Sequence, residues 1–186
     1  MVSVALFHSV LGLRPVELLA AERLRRAGHE VVTPDLFGRE TAATVGGGFR
    51  LVERIGWETV VHRARQSLSG MPDGTVLTGL SMGAGVVAEL WPERPETGGV
   101  LLLHATVALP ASARPGLRMQ MHVAEPDDFA LPENMAALRR AATEKHIRLE
   151  IFRYPGVGHF YTDFEHPDHN PVAAELTWNR ALDFLG

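Results

Sequence analysis

Cysteine is absent from the 186-residue chain, which excludes disulfide bridges and thiolate chemistry. Positive charge is not in excess either: the formal net charge is −4, and no basic stripe favours nucleic acid or an anionic membrane as a partner. No apolar run approaches the length of a membrane span. The opening residues, VSVALFH, are typical of a strand rather than of a signal peptide, so we expect a cytoplasmic protein.

Local motifs for phosphate and metal chemistry are also missing. The glycines at 46–48 lack the Gly-Lys-Ser/Thr ending of a Walker loop, and there is no HExxH pattern. An alternative metal site could combine His8, His104 and His159 with an acid, but no local ligand spacing supports it. We therefore expect neither a metal nor another cofactor.

The composition is ordinary for a globular protein, with 46% apolar and 22% charged residues. A length of 186 residues predicts one domain spanning 1–186. Strand-like runs alternate with helical patterns along the chain, which predicts an open, mostly parallel sheet with helices on both faces. The predicted strands are 2–7, 30–33, 75–78, 98–103, 117–123 and 147–154, and the predicted helices include 14–27, 57–68, 132–146 and 172–185.

Residues 37–56 are the least regular part of the sequence. Their triple glycine predicts a solvated, mobile loop. The alternative is a small flap over the functional site.

The segment Gly79-Leu80-Ser81-Met82-Gly83 matches the G-x-S-x-G pattern, between a predicted strand and a predicted helix. In such an elbow the serine occupies a strained turn that exposes its hydroxyl. The flanking glycines leave room where the strand and the helix crowd each other. A glycine-rich turn with an incidental serine is the simpler alternative, and a nucleophilic serine would also need a base and an orienting acid.

Polar residues follow several other predicted strands: His8-Ser9, His104, Asp127-Asp128 and His159. The carboxyl ends of parallel strands meet at one edge of a sheet, where ligands bind in open α/β folds. The order serine, aspartate, histidine is that of the α/β-hydrolase triad. Asp127 could instead cap the following helix, and His8 and His104 could be buried core residues.

Together with the elbow, the segments EPDDF (125–129) and PGVGHF (155–160) make the chain resemble the dienelactone hydrolase family along nearly its whole length. The resemblance implies an α/β-hydrolase fold with six strands in the order 2-1-3-4-5-6. It also implies Ser81, Asp127 and His159 as the triad, with Asp128 the weaker candidate for the acid. The backbone amides of Val10 and Met82 would form the oxyanion hole.

Three positions depart from the pattern of this family. The nucleophile is Ser81 instead of cysteine, as in esterase-like relatives. Ser9 replaces a glutamate that tunes that cysteine. Asp163 replaces an arginine that binds a substrate carboxylate, and if it faces the crevice it would disfavour anionic substrates. The predicted pocket residues are His8, Ser9, His104, Phe160 and Asp163.

These features predict a serine hydrolase that cleaves a small carboxylic ester, lactone or thioester through an acyl-enzyme. The alternatives are a thioesterase or acyl transferase using the same triad, and a non-catalytic protein that binds a small ligand in the crevice. We expect a monomer or homodimer that binds neither nucleic acid nor membrane.

Overall fold

The computed structural model describes residues 1–186 and contains one six-stranded sheet. Every neighbouring pair of strands is parallel, and the order is β2-β1-β3-β4-β5-β6, as predicted. The strands are β1 (Ser3–Phe7), β2 (Glu30–Val32), β3 (Val76–Leu80), β4 (Val100–Leu103), β5 (Arg118–Glu125) and β6 (Arg148–Pro155).

Six helices cover the two faces of this sheet. They are α1 (Pro15–Arg26), α2 (Val45–Ile55), α3 (Trp57–Ser67), α4 (Met82–Leu90), α5 (Pro132–Glu144) and α6 (Pro171–Leu185). A short 3₁₀ turn at Trp91–Glu93 follows α4. None of the helices has the length and hydropathy required to cross a membrane.

The core has two layers because side chains of a strand alternate between the faces of the sheet. In β1, Ala5 and Phe7 point into the larger cluster, which also contains side chains of α3, α4 and α5. Val4 and Leu6 point into the smaller cluster, against α1 and α6. Burial on both faces explains why the central strands are continuously apolar in the sequence.

The prediction of a mobile loop at 37–56 is wrong, because eleven of these residues form α2. Thr44 caps the helix by accepting a hydrogen bond from the Gly47 amide at 3.1 Å. Gly48 is buried against the preceding chain: a Cβ there would lie 2.1 Å from the Val10 carbonyl oxygen. Close packing of α2 on the loop that carries Val10 therefore overrides the low helix propensity of glycine.

Candidate active site

Ser81 lies between β3 and α4, at φ 51° and ψ −110°, in the left-handed region that non-glycine residues rarely occupy. The glycines on either side are required by close backbone contacts. A Cβ at Gly79 would lie 2.5 Å from the Ala84 nitrogen, and one at Gly83 would lie 2.3 Å from the Phe7 carbonyl oxygen. The sequence pattern and the observed turn agree.

The structure brings Ser81, His159 and Asp127 into one hydrogen-bonded series, although they follow three different strands. His159 Nδ1 lies 2.9 Å from both carboxylate oxygens of Asp127, whose side chain is fully buried. Because a carboxylate accepts hydrogen bonds, Nδ1 carries the proton. The other ring nitrogen, Nε2, can then accept from the Ser81 hydroxyl, with Oγ 2.9 Å away.

Asp127 is not a helix cap, since α5 begins five residues later with Leu131 at its N-cap. Its Oδ1 accepts a hydrogen bond from the Phe129 amide at 2.9 Å, which fixes the carboxylate within its own loop. Asp128 is exposed and makes no side-chain hydrogen bond. The geometry thus separates the two adjacent acids.

The Val10 amide, which lies outside the helices and strands, donates no hydrogen bond within the protein. Val10 follows β1, and Met82 is the first residue of α4, where helical amides point outward without intrahelical partners. The positive end of the helix favours negative charge beside Ser81. These two amides are candidates for binding an oxyanion.

A cavity of about 240 Å³ opens beside Ser81. Apart from Ser81 and His159, its lining is apolar or glycine, and no charged side chain contributes to it. The remaining lining residues are Val10, Val45, Phe49, Trp57, Met82, Gly85, Ala105, Phe129 and Phe160. Among the predicted pocket residues, only Phe160 lines this cavity.

The prediction that His8 and Ser9 line the pocket is wrong, because both are buried behind it. His8 Nδ1 donates to the Ser9 carbonyl at 2.7 Å, and Nε2 accepts from the Leu36 amide at 3.0 Å. Burial lowers the pKa of His8 to about 4, so the ring stays neutral. Ser9 donates to Glu17 and accepts from the Leu11 amide, which supports the loop that carries Val10.

Asp163 does not face the cavity and cannot repel a substrate there. It is 3% exposed and forms an ion pair with Arg14, Nη2 to Oδ2, at 2.5 Å. Arg14 also pairs with the buried Glu17 at 3.4 Å and with Glu165 at 3.6 Å. Burial raises the pKa of Glu17, and the neighbouring guanidinium opposes that shift. The ion cluster joins the start of α1 to the loop after His159.

His104 also lies outside the cavity, although its ring centroid is 5.5 Å from that of His159. Its Nε2 is hydrogen-bonded to Thr162 Oγ1 at 2.7 Å, while its buried Nδ1 has no partner. Burial holds the pKa of His104 well below its ordinary value. The ring is therefore a neutral packing partner of His159.

Sequence reasoning did not identify Val45, Phe49 and Trp57 as cavity walls, although the alternative of a flap at 37–56 placed the segment that carries Val45 and Phe49 over the site. Phe49 and Phe129 are about half exposed at the cavity, at 50% and 48%. Aromatic residues next to polar ones in these segments could have indicated a binding surface. Nothing local in the sequence, however, shows that α2 and α3 reach Ser81. No group of three or more His, Cys, Asp or Glu side chains is arranged to hold a metal ion.

A parallel 2-1-3-4-5-6 sheet with a serine at a strained turn after its third strand defines an α/β hydrolase. The family model described as "Dienelactone hydrolase family" matches residues 1–186. The chain belongs to the dienelactone hydrolase family. A search of curated proteins finds no match.

Solved structures share this fold at low sequence identity. A dienelactone hydrolase-like promiscuous phosphotriesterase from metagenomic libraries is 16% identical, with a TM-score of 0.78 over 100% of this chain and 86% of that one. A putative dienelactone hydrolase from Klebsiella pneumoniae is 14% identical, with a TM-score of 0.77 over 98% and 85%. A cold-adapted esterase from an Arctic intertidal metagenomic library is 16% identical, with a TM-score of 0.69 over 99% and 81%. At these identities the likeness concerns the fold alone.

Proposed function

We propose that the protein is a serine hydrolase that cleaves a neutral carboxylic ester, lactone or thioester through an acyl-enzyme. The observation that carries this proposal is the hydrogen-bonded series from Ser81 Oγ through His159 to Asp127, with both links at 2.9 Å. Nucleophile, base and orienting acid have the mutual geometry that acyl transfer requires.

In the proposed reaction, Ser81 Oγ attacks the substrate carbonyl carbon while its proton passes to His159 Nε2. Asp127 stabilises the resulting imidazolium and holds its orientation. The Val10 and Met82 amides bind the oxyanion of the tetrahedral intermediate. His159 then donates the proton to the leaving oxygen or sulfur, and the carbon–heteroatom bond breaks to leave an acyl-serine.

Water completes the cycle. His159 takes a proton from the water molecule as its oxygen attacks the acyl carbon, and returns that proton to Ser81 Oγ when the ester bond breaks. No cofactor takes part in this scheme. The substrate is expected to be neutral because the cavity offers no charged side chain to pair with a carboxylate.

Acyl transfer to an alcohol or amine is a second candidate, because the apolar lining would also accommodate an apolar acceptor. Turnover of an ester in water with added alcohols or amines distinguishes the two reactions. A hydrolase releases mainly the free acid, whereas a transferase forms mainly the new ester or amide.

Ser81→Ala tests the proposal directly. Turnover is expected to fall by about 10⁶-fold, the effect of removing a triad nucleophile. Folding should be preserved because only a hydroxyl group is removed. The native protein should also react once with a fluorophosphonate, and the variant should not. A folded Ser81→Ala protein that keeps substantial turnover would refute the acyl-serine mechanism, and a native protein that is not labelled would favour a non-catalytic binding role.

A further inference from the structure

The cavity has two walls of different construction, one beside the helix that follows Ser81 and one beside the imidazole. Trp57, the first residue of α3, forms the helix-side wall. A Cβ at Gly85 would lie 3.3 Å from Cη2 of its ring, so the indole rests on the glycine one turn after Ser81. Its Nε1 donates to Glu89 Oε1 at 3.3 Å, one turn further along α4. Two contacts on α4 therefore fix the ring.

Phe129 forms the imidazole-side wall. Its ring centroid lies 4.7 Å from that of His159, and its amide donates to the Asp127 carboxylate. The ring is half exposed, so this end of the cavity opens to solvent. Phe160 packs on the imidazole from another direction, with centroids 4.6 Å apart at 89°.

The chemistry assigns the two parts of a substrate to these walls. His159 Nε2 must reach the leaving oxygen to protonate it, so the leaving group lies on the imidazole side, next to Phe129. The carbonyl oxygen points to the Val10 and Met82 amides. The acyl chain then extends away from His159, toward Trp57.

On the basis of the proposed hydrolase function, we infer that Trp57 sets the maximum acyl length and that Phe129 contacts the leaving group. A volume of 240 Å³ is below the range of about 300–1,000 Å³ usual for drug-sized ligands, and part of it must hold the leaving group. The acyl part of the substrate is therefore a short, uncharged chain of about two to four carbons, and the leaving group is an apolar alcohol or thiol that can extend into solvent.

The test measures kcat/KM over two series of esters. In the first series the alcohol is p-nitrophenol and the acyl group is acetyl, butyryl, hexanoyl or octanoyl. In the second series the acyl group is butyryl and the leaving alcohol is methanol, phenol or naphthol, giving methyl, phenyl and naphthyl butyrate. The native protein should prefer acetyl or butyryl over octanoyl by tenfold or more, and it should accept all three alcohols.

Trp57→Ala should raise the octanoyl-to-acetyl ratio of kcat/KM by about tenfold or more, the discrimination that apolar pockets show per methylene. Its preference among the alcohols should not change. Gly85→Ala should act in the opposite direction, because the added methyl group lies in the cavity lining beside the indole and reduces the space for the acyl chain. Alanine also favours the helix, so this variant tests the proposal even if Trp57→Ala does not fold.

Phe129→Ala should change the naphthyl-to-methyl ratio and leave the acyl ratio as in the native protein. Glu89→Gln is the matched control: it retains an acceptor for the indole and should change neither ratio. A Trp57→Ala variant whose acyl ratio equals the native one, or whose alcohol preference shifts equally, overturns the inference, as does a Gly85→Ala variant with an unchanged acyl ratio.

Failure of the inference and failure of the proposed function have different signatures. If the native protein is labelled at Ser81 and cleaves esters, but the two ratios do not separate, only the assignment of Trp57 and Phe129 is wrong. If the native protein shows neither labelling nor ester turnover above Ser81→Ala, the proposed function fails and the inference fails with it.

Discussion

The two adjacent aspartates differ in burial and in hydrogen bonding, and this difference separates their roles. Asp127 is buried with both oxygens 2.9 Å from the imidazole, whereas Asp128 points to solvent. A carboxylate in the buried position selects the tautomer in which Nδ1 is protonated and Nε2 can accept the serine proton. Asp128, which is exposed and makes no hydrogen bond to the imidazole, cannot select this tautomer.

Asp127→Asn is expected to lower kcat by about 10⁴-fold, because an amide can donate to Nδ1 and thereby favour the wrong tautomer. Asp128→Asn, the matched control, should retain nearly native kcat. Both variants are compared on the preferred ester, with circular dichroism to verify folding. If Asp128→Asn lost more activity than Asp127→Asn, the observed hydrogen bonds would not be those used in catalysis.

Asp163 shows how a partner elsewhere in the chain changes the meaning of a residue. At its position an aspartate suggested repulsion of anionic substrates, but Arg14 neutralises it away from the cavity. The expectation that neutral substrates are preferred rests instead on a cavity lining that carries no charge. The direction of the expected selectivity is the same, and its physical cause is different.

Among the elements, α2 connects packing to the candidate active site. Its Val45 and Phe49 line the cavity, and Gly48 packs directly on the carbonyl of Val10, whose amide faces Ser81 in the proposed mechanism. A shift of this helix would therefore move a proposed oxyanion donor. The ion pair of Arg54 with Glu40 is exposed to solvent and therefore adds little to the stability of α2.

Gly48→Ala is expected to destabilise the protein by about 1–3 kcal/mol, because its methyl group would lie 2.1 Å from backbone oxygen. The kcat/KM should fall by roughly 10²-fold, the effect of displacing a catalytic group by about 1 Å. Gly46→Ala is the control: its nearest neighbour is Arg50 Nη1 at 3.7 Å, and alanine favours the helix.

Urea unfolding and ester kinetics measure both variants. Gly46→Ala should be as stable as the native protein or more so, with native kinetics. Equal behaviour of the two variants would show that close contact between α2 and the Val10 loop is not required for activity.

At the scale of the whole molecule, burial lowers the pKa of four histidines, and the shifts are largest for His8, His104 and His122. Burial lowers the pKa of His8 to about 4 and that of His122 to about 3, and it holds that of His104 well below the ordinary value. Well above pH 6.5 these rings are neutral in both the folded and the unfolded chain. Below it the unfolded chain binds protons that the folded protein does not, so acid destabilises the fold.

As the pH is lowered from about 6 to 4.5, His8, His104 and His122 should each reduce the free energy of unfolding by up to about 1.4 kcal/mol per pH unit. Glu17 acts in the opposite sense, since burial raises its pKa and its stabilising contribution is lost as pH rises. Urea unfolding at a series of pH values measures the slope. His122→Gln should reduce this slope by about one proton. A slope unaffected by His122→Gln would contradict a neutral, buried His122.

Much of the fold could be predicted because its signals are local. Continuous apolar strands, helical periodicity and glycine stops specify a parallel sheet, and the observed strand order agrees with the family resemblance. Ser81 was recognisable because its turn admits only small flanking residues. Predicted strand and helix limits differ from the observed ones by a few residues, since the ends of elements depend on contacts as well as on propensity.

The sequence by itself determined the sheet and the position of the elbow, because both follow from backbone sterics and the period of apolar residues. Tertiary structure alone decided the helix at Val45–Ile55, the cavity walls at Trp57 and Phe129, and the burial of Asp163 beside Arg14. Each of these depends on contacts between residues far apart in the chain. Such contacts determine where a side chain points and which charge it meets, and neither can be read from neighbours in the sequence.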